Sequence, residues 1–177
     1  MCREQPIGLP SNDRTVLPEP NEIAVRSLER PEPGAGEVLV ETERTLASTG
    51  TEPTILPGEC PEDSVRDRDG TYPFTPGYNT VGRVVEAGDG VTDLAAGDRV
   101  ASRGPHAASV TVDATGCRQV PEAVPAGQAS FFTIAETVMN GLRRGRVAWG
   151  EVVAVDGPAC SDSSPSGRLA HGSESRV

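Results

Sequence analysis

Between Pro76 and Val100 the chain reads PGYNTVGRVVEAGDGVTDLAAGDRV: a Pro-Gly turn, an apolar strand, a Gly-rich turn and a second strand that opens on Gly-Asp-Arg-Val. Gly77, Gly82, Gly88 and Gly97 suit tight turns and bulges, and the neighbouring Asp98-Arg99 offers ionic side chains to tie a loop to the strand that follows. A segment punctuated this often cannot hold a long helix. It constrains the chain to short antiparallel strands.

The flanking sequence continues that pattern. Glu22 to Glu29 and Glu37 to Ala47 are rich in β-formers and are separated by the breaker run PEPGAG, a hairpin or meander signal. Further strand signals lie at 98–103, at 106–114 and, briefly, at 117–121. The fold class expected is mainly β, an antiparallel barrel followed by a helix and one more strand. The first 20 residues are polar and Pro-rich and read as a loose leader, and 53–75 reads as a long loop with one helical turn near Glu62 to Arg66.

Beyond Pro125 the period changes. Phe131, Ile134, Ala135, Val138, Met139 and Leu142 form a helical stripe with arginines at its C-terminal end, so a helix is expected over 127–145. GEVVAVDG at 150–157 then reads as a short apolar strand, the opening of a βα unit. From Pro158 to Val177 there is no apolar period, and a disordered tail is expected.

Composition narrows the function classes. The formal charge of −10 argues against nucleic acid as a partner, because phosphates would be repelled. All 16 basic residues are Arg, which suits either a high-salt habitat or a GC-rich genome. No apolar run is long enough to span a bilayer, and the N-terminus lacks a signal-peptide core, so no membrane partner and a cytoplasmic location are expected. Cys2, Cys60, Cys117 and Cys160 are scattered without a CxxC, as free thiols would be.

From Pro31 to Gly157, including the opening Pro33-Gly34-Ala35-Gly36-Glu37-Val38 and the Gly77 to Val100 pattern, the chain resembles the N-terminal GroES-like domain of medium-chain dehydrogenases/reductases, the zinc alcohol dehydrogenase and quinone oxidoreductase family. The resemblance implies a barrel that binds a small-molecule substrate beside an NAD- or NADP-binding Rossmann domain. It also exposes departures. Thr49 stands where the family carries a zinc-binding Cys, and Tyr78 and Asn79 stand where it carries His and Glu. Neutral hydroxyls and an amide are poor zinc ligands, so no metal site is expected.

The same resemblance implies that Thr49, Thr51, Glu52 and Asn79 line the substrate cleft and that Tyr78 is the catalytic candidate, as a phenol able to donate a proton to a carbonyl. His106 reads either as a proton shuttle or as a turn residue at a strand start, the reading that Gly104-Pro105 favours. A dinucleotide site needs GxGxxG after its first strand. Here Gly157-Pro158-Ala159-Cys160-Ser161-Asp162 supplies only the first glycine, so no cofactor is expected to bind, and the chain reads as truncated before the Rossmann domain.

Two function classes follow. One is the substrate-binding domain of a zinc-independent oxidoreductase, inactive alone; whether the chain is itself an enzyme stays open. The alternative is a non-catalytic GroES-like remnant or interaction module, with self-association through the apolar face of helix 127–145.

Overall fold

The computed structural model describes residues 12–58, 71–148, 150–155 and 173–176, and these fall into two compact units divided after Thr133. The expected helical turn at Glu62 to Arg66 lies outside the described residues, as does the Gly157 to Asp162 turn.

The first unit is built on a five-stranded antiparallel sheet in the order β6-β3-β4-β5-β7. Its members are β3 (Glu37–Thr45), β4 (Thr80–Ala87), β5 (Arg99–Ser102), β6 (Ser109–Asp113) and β7 (Arg118–Gln119). β3 is the longest strand of the sheet and an interior one, paired with β6 along one edge and β4 along the other. Alternation decides which residues go inside: Val38 and Val40 of β3 meet Val112 and Val110 of β6, and Val40 also faces Val84 of β4. Those residues, with Leu94, Val100, Ala107 and Cys117, make one core. Valine suits this small, strongly curved interior because its branched side chain packs on a pleated surface with little rotamer entropy to lose.

Curvature comes from two irregularities in the β3–β4 pairing, between Leu39 and Val40 and between Thr42 and Arg44. Gly82 sits at this bend. A Cβ there would lie 2.1 Å from the Glu41 carbonyl oxygen, so only glycine lets the two backbones approach. On the outer surface Glu43 bridges Arg83 and Arg99, its Oε1 3.1 Å from Arg83 Nε and its Oε2 2.9 Å from Arg99 Nη2. Arg99 also donates to the Val124 carbonyl at 2.7 Å, which ties down the chain leaving β7. The Asp-Arg pair read from the sequence as a loop tie is therefore mainly an Arg99 tie, with Asp98 accepting from the Ala95 amide.

The expected loose leader ends sooner than 20. Asn12–Val16 forms β1, antiparallel to β2 (Ala24–Leu28). Polar composition hid this strand because its anchoring is by backbone and two polar side chains: the buried Asn12 Oδ1 accepts the Ser109 amide at 2.8 Å, Asp13 Oδ1 accepts the Ser27 hydroxyl, and only Val16 and Leu17 bring apolar burial. A second correction concerns the loop expected from Pro53. Thr51–Ile55 is a short helix, α1, entered through Ser48, whose Oγ accepts the Gly50 and Thr51 amides. Proline in a first turn costs no hydrogen bond, so Pro53 does not forbid it.

The helical stripe is interrupted. α2 (Ala126–Ala129) follows Pro125 as expected and packs on β3 and β4, and α3 begins only at Phe132. Ser130, buried between them, turns its Oγ back onto the Gly127 carbonyl at 2.9 Å, a local bond that competes with the helix ladder.

The second unit contains most of α3 (Phe132–Arg144) and a two-stranded sheet of β8 (Val152–Val155) and β9 (Ser173–Arg176). β8 is the apolar strand expected at 150–157. β9 lies in the stretch expected to be disordered. Antiparallel pairing with β8 uses backbone groups, so the polar Ser-Glu-Ser-Arg run needs no apolar side chain to form it. No residue of α3 is buried, and Val138 and Met139 are exposed. Among the described residues no helix is long and apolar enough to cross a membrane.

Candidate functional site

β1 does more than extend the fold. It runs along the segment before β6, with the Thr15 amide donating to the His106 carbonyl and the Ala108 amide to the Asp13 carbonyl, each at 2.8 Å. The His106 amide in turn donates to the Pro76 carbonyl at 2.9 Å. Both backbone groups of His106 are thus held. Gly77 closes the other side: at φ +111°, a Cβ on it would stand 2.5 Å from the His106 nitrogen.

Opposite His106 stands Glu52 in the first turn of α1. Its Oε2 accepts the Ser48 amide at 2.8 Å, and its Oε1 lies 3.5 Å from His106 Nε2. Only 16% of the Glu52 side chain and 13% of the His106 side chain are exposed, so the pair is largely screened from water. Oε1 and Nε2 are both shut off from solvent and neither has a hydrogen-bond partner.

Both residues line a cavity of about 310 Å³. Ser48 and Thr49 line it as well, and Leu17, Ile23, Ala47, Pro53, Leu56 and Pro76 supply apolar walls. Such a lining, mostly apolar with a few convergent polar groups, is the usual form of a small-molecule site.

The residues expected to line the cleft separate on this geometry. Thr49 and Glu52 line the cavity. Thr51 is not among the lining residues, and its Oγ1 is 3.3 Å from the Tyr78 hydroxyl. Asn79 is fully buried at the start of β4, where neither atom of its side-chain amide has a hydrogen-bond partner. His106, whose turn reading the Gly-Pro before it favoured, is placed at the heart of the site by contacts from Thr15 and Pro76 that no local pattern encodes. The signal available in the sequence was its isolation, as the one His before the C-terminal stretch.

The model of the alcohol dehydrogenase GroES-like domain matches residues 34–156, more than half of the chain. The chain belongs to that family. Its Cereibacter sphaeroides relative, 2-desacetyl-2-hydroxyethyl bacteriochlorophyllide A dehydrogenase, is 34% identical over 85 residues, which is 48% of this chain and 25% of the relative. An alcohol dehydrogenase superfamily protein from Novosphingobium aromaticivorans is 29% identical, with a TM-score of 0.62 over 78% of this chain and 44% of that one. A zinc-binding dehydrogenase from Sinorhizobium meliloti, solved with NADP, shares the fold at a TM-score of 0.65 and 24% identity, over 79% of this chain and 47% of its own. The chain therefore spans under half the length of each of these three proteins.

Proposed function

We propose that this GroES-like domain is the substrate-binding part of an NAD(P)-dependent, zinc-independent oxidoreductase, and that the 177-residue chain binds substrate without turning it over. The observation that carries the reading is the cavity itself: an almost wholly apolar lining to which Ser48, Thr49, Glu52 and His106 also contribute. That arrangement takes up an apolar body and fixes one hydroxyl or carbonyl group. Support for substrate chemistry of this kind comes from the Cereibacter relative, whose name describes a dehydrogenase acting on a hydroxyethyl-bearing compound.

The residues at the family's zinc positions do not fit the metal. Thr49 offers a neutral hydroxyl, Tyr78 points its hydroxyl to Thr51, and the Asn79 amide is a weak donor to a divalent ion. Among the described residues no three His, Cys, Asp or Glu side chains gather as a metal site requires. For the cofactor, the sequence after β8 lacks the second and third glycines of a pyrophosphate turn, and Pro158 removes an amide donor. In this reading Thr49 and Glu52 touch substrate, while the Thr51–Tyr78 contact steadies α1.

The test is direct: metal content by mass spectrometry, NADPH binding by calorimetry, and alcohol oxidation with NAD or NADP, all on the purified chain. Less than a tenth of an equivalent of zinc, no micromolar NADPH binding and no turnover are expected. One zinc per chain overturns the metal-free reading, and tight NADPH binding or turnover overturns the division of labour between this domain and a cofactor domain.

A further inference from the structure

Among the described residues β2 pairs with β1 alone, and its other side carries no strand. The bonds on the far side of β1 fix which groups of β2 face outward. Thr15 and Asp13 direct their backbone groups to the 106–108 segment, so Asn12, Arg14 and Val16 direct theirs to β2, where Leu28, Arg26 and Ala24 meet them. The backbone N–H and C=O groups of Val25 and Ser27 therefore point away from β1, and those of Ile23 follow by the same alternation. Edges of this kind are ordinarily blunted by charge, proline or a bulge. Here Ile23 is 63% exposed, Val25 70% and Leu28 42%, and the one charge within β2 is Arg26.

Arg26 carries a second signal. It lies directly opposite Arg14 across the β1–β2 ladder, a like-charge pair that costs stability, and neither guanidinium has an ion-pair partner among the described residues. The unmet demand on the free side of Arg26 is for a carboxylate. Glu22, exposed and likewise without an ion pair among the described residues, stands four residues earlier and so on the same face of the strand.

We propose that two copies of this chain pair through the free edge of β2, antiparallel about a two-fold axis at Ala24. In that register Arg26 faces Glu22 of the second copy, Glu22 faces Arg26 of the second copy, and Ala24 meets its own equivalent. On the opposite face Ile23 meets Val25 of the second copy. These are residues whose backbone groups point outward, so each such pair exchanges two hydrogen bonds. Moving the axis to Val25 sets Glu22 against Leu28, and moving it to Arg26 sets Arg26 against itself. Each copy has a formal charge of −10, so association favours a seam in which acid meets base. The pairing is independent of the substrate reading, although Ile23, a wall of the cavity, lies on the seam.

Sedimentation equilibrium of the full chain, carried to millimolar concentration, reads the association. A reversible monomer–dimer equilibrium is expected. Glu22→Arg and Arg26→Glu each turn both ion pairs into like-charge pairs and should weaken the dimer about tenfold or more. The two variants complement each other, so mixing them should restore the dimer at parental affinity, as should a double variant carrying both substitutions. Both positions are exposed, and urea unfolding checks that every variant folds. Amide exchange gives a second reading: the Val25 amide should gain protection as concentration rises, while the Arg26 amide, bonded within the β1–β2 ladder, should not change. A chain that stays monomeric at millimolar concentration overturns the proposal. So does a dimer unmoved by either single variant, or one whose Val25 amide exchanges as fast as in the monomer. Single variants that weaken the dimer with no rescue on mixing overturn the register, and the pairing with it.

Discussion

Replacing Gly82 by alanine tests the claim that the β3–β4 bend depends on backbone contact. The new Cβ would stand 2.1 Å from the Glu41 carbonyl oxygen, 2.9 Å from its carbon and 2.8 Å from Val40 Cγ1. A carbon rests against a carbonyl oxygen at about 3.3 Å or more, so the strands must part locally by about 1 Å. Two of the three offending atoms are backbone in an interior strand of a five-stranded sheet, which cannot swing away as a side chain would. Overpacking of this kind costs about 1–3 kcal/mol, and weakening one ladder hydrogen bond adds about 1 kcal/mol. The entropy gained by leaving glycine returns about 0.5–1 kcal/mol, for a net loss of about 2 kcal/mol. Urea unfolding followed by far-UV circular dichroism reads this as a midpoint lowered by about 1 M, for a slope of about 2 kcal/mol/M. Gly116→Ala is the control, since nothing lies within 4 Å of its added Cβ, and its midpoint should not move measurably. A Gly82→Ala midpoint within about 0.2 M of the parent would refute the argument, because it would mean that β3 and β4 can separate at no cost.

Other perturbations probe the surroundings of the sheet and the site. Arg99→Met removes a nearly buried guanidinium that serves both Glu43 and the Val124 carbonyl; because Glu43 is itself 31% exposed and keeps Arg83, the loss should be about 2 kcal/mol, below that of a fully buried pair, as read by urea unfolding. Gly77→Ala should speed hydrogen exchange at the His106 amide, because the added Cβ displaces the nitrogen that bonds Pro76; unchanged protection would contradict the positioning described for that turn. The Asp113 carboxyl is held below the ordinary range, first by the Thr115 hydroxyl and then by the Thr115 amide. A depressed carboxyl lends its stability above the unfolded value and loses it as pH falls through the folded value, so Thr115→Val should raise the Asp113 titration midpoint seen by NMR and shrink that acid-side loss. Burial pushes the Cys117 thiol up, so mass-spectrometric mapping at pH 8 should find it unalkylated in folded protein and labelled in urea.

The barrel was legible because its signals are local. Glycines at bends, a Pro before a helix and alternating valines each state their geometry within a few residues, and β3 to β6 follow them closely. β1 was not legible, since NDRTV carries little apolar character and its place is decided by Ser109 and His106, far along the chain. The same reason hid His106. A histidine after Gly-Pro looks like any turn residue until the fold lays Thr15 on one side and Glu52 on the other. Of the residues the family register placed at the cleft, Thr49 and Glu52 line the cavity, while Thr51 and Tyr78 lie against each other and Asn79 is in the interior, a sorting that spacing alone does not encode. The break at Ser130 is invisible to apolar periodicity because a side-chain hydroxyl, not a missing hydrophobe, makes it.

The wall that β1 contributes to the cavity has a place in time as well as in space. The Asn12–Ser109 bond joins residues 97 positions apart, whereas β3, β4 and β5 pair with nearer neighbours. Closing the longer loop costs somewhat more chain entropy and is rewarded only once its landing site exists, so the expected order is that β1 docks after the sheet has assembled. Thr15 and Leu17 arrive with it, and until then the cavity is a cleft open along one side. In refolding, affinity for a ligand should therefore lag behind the far-UV signal. In the folded protein, an occupied cavity should slow the fraying of this first strand more than that of any strand of the central sheet.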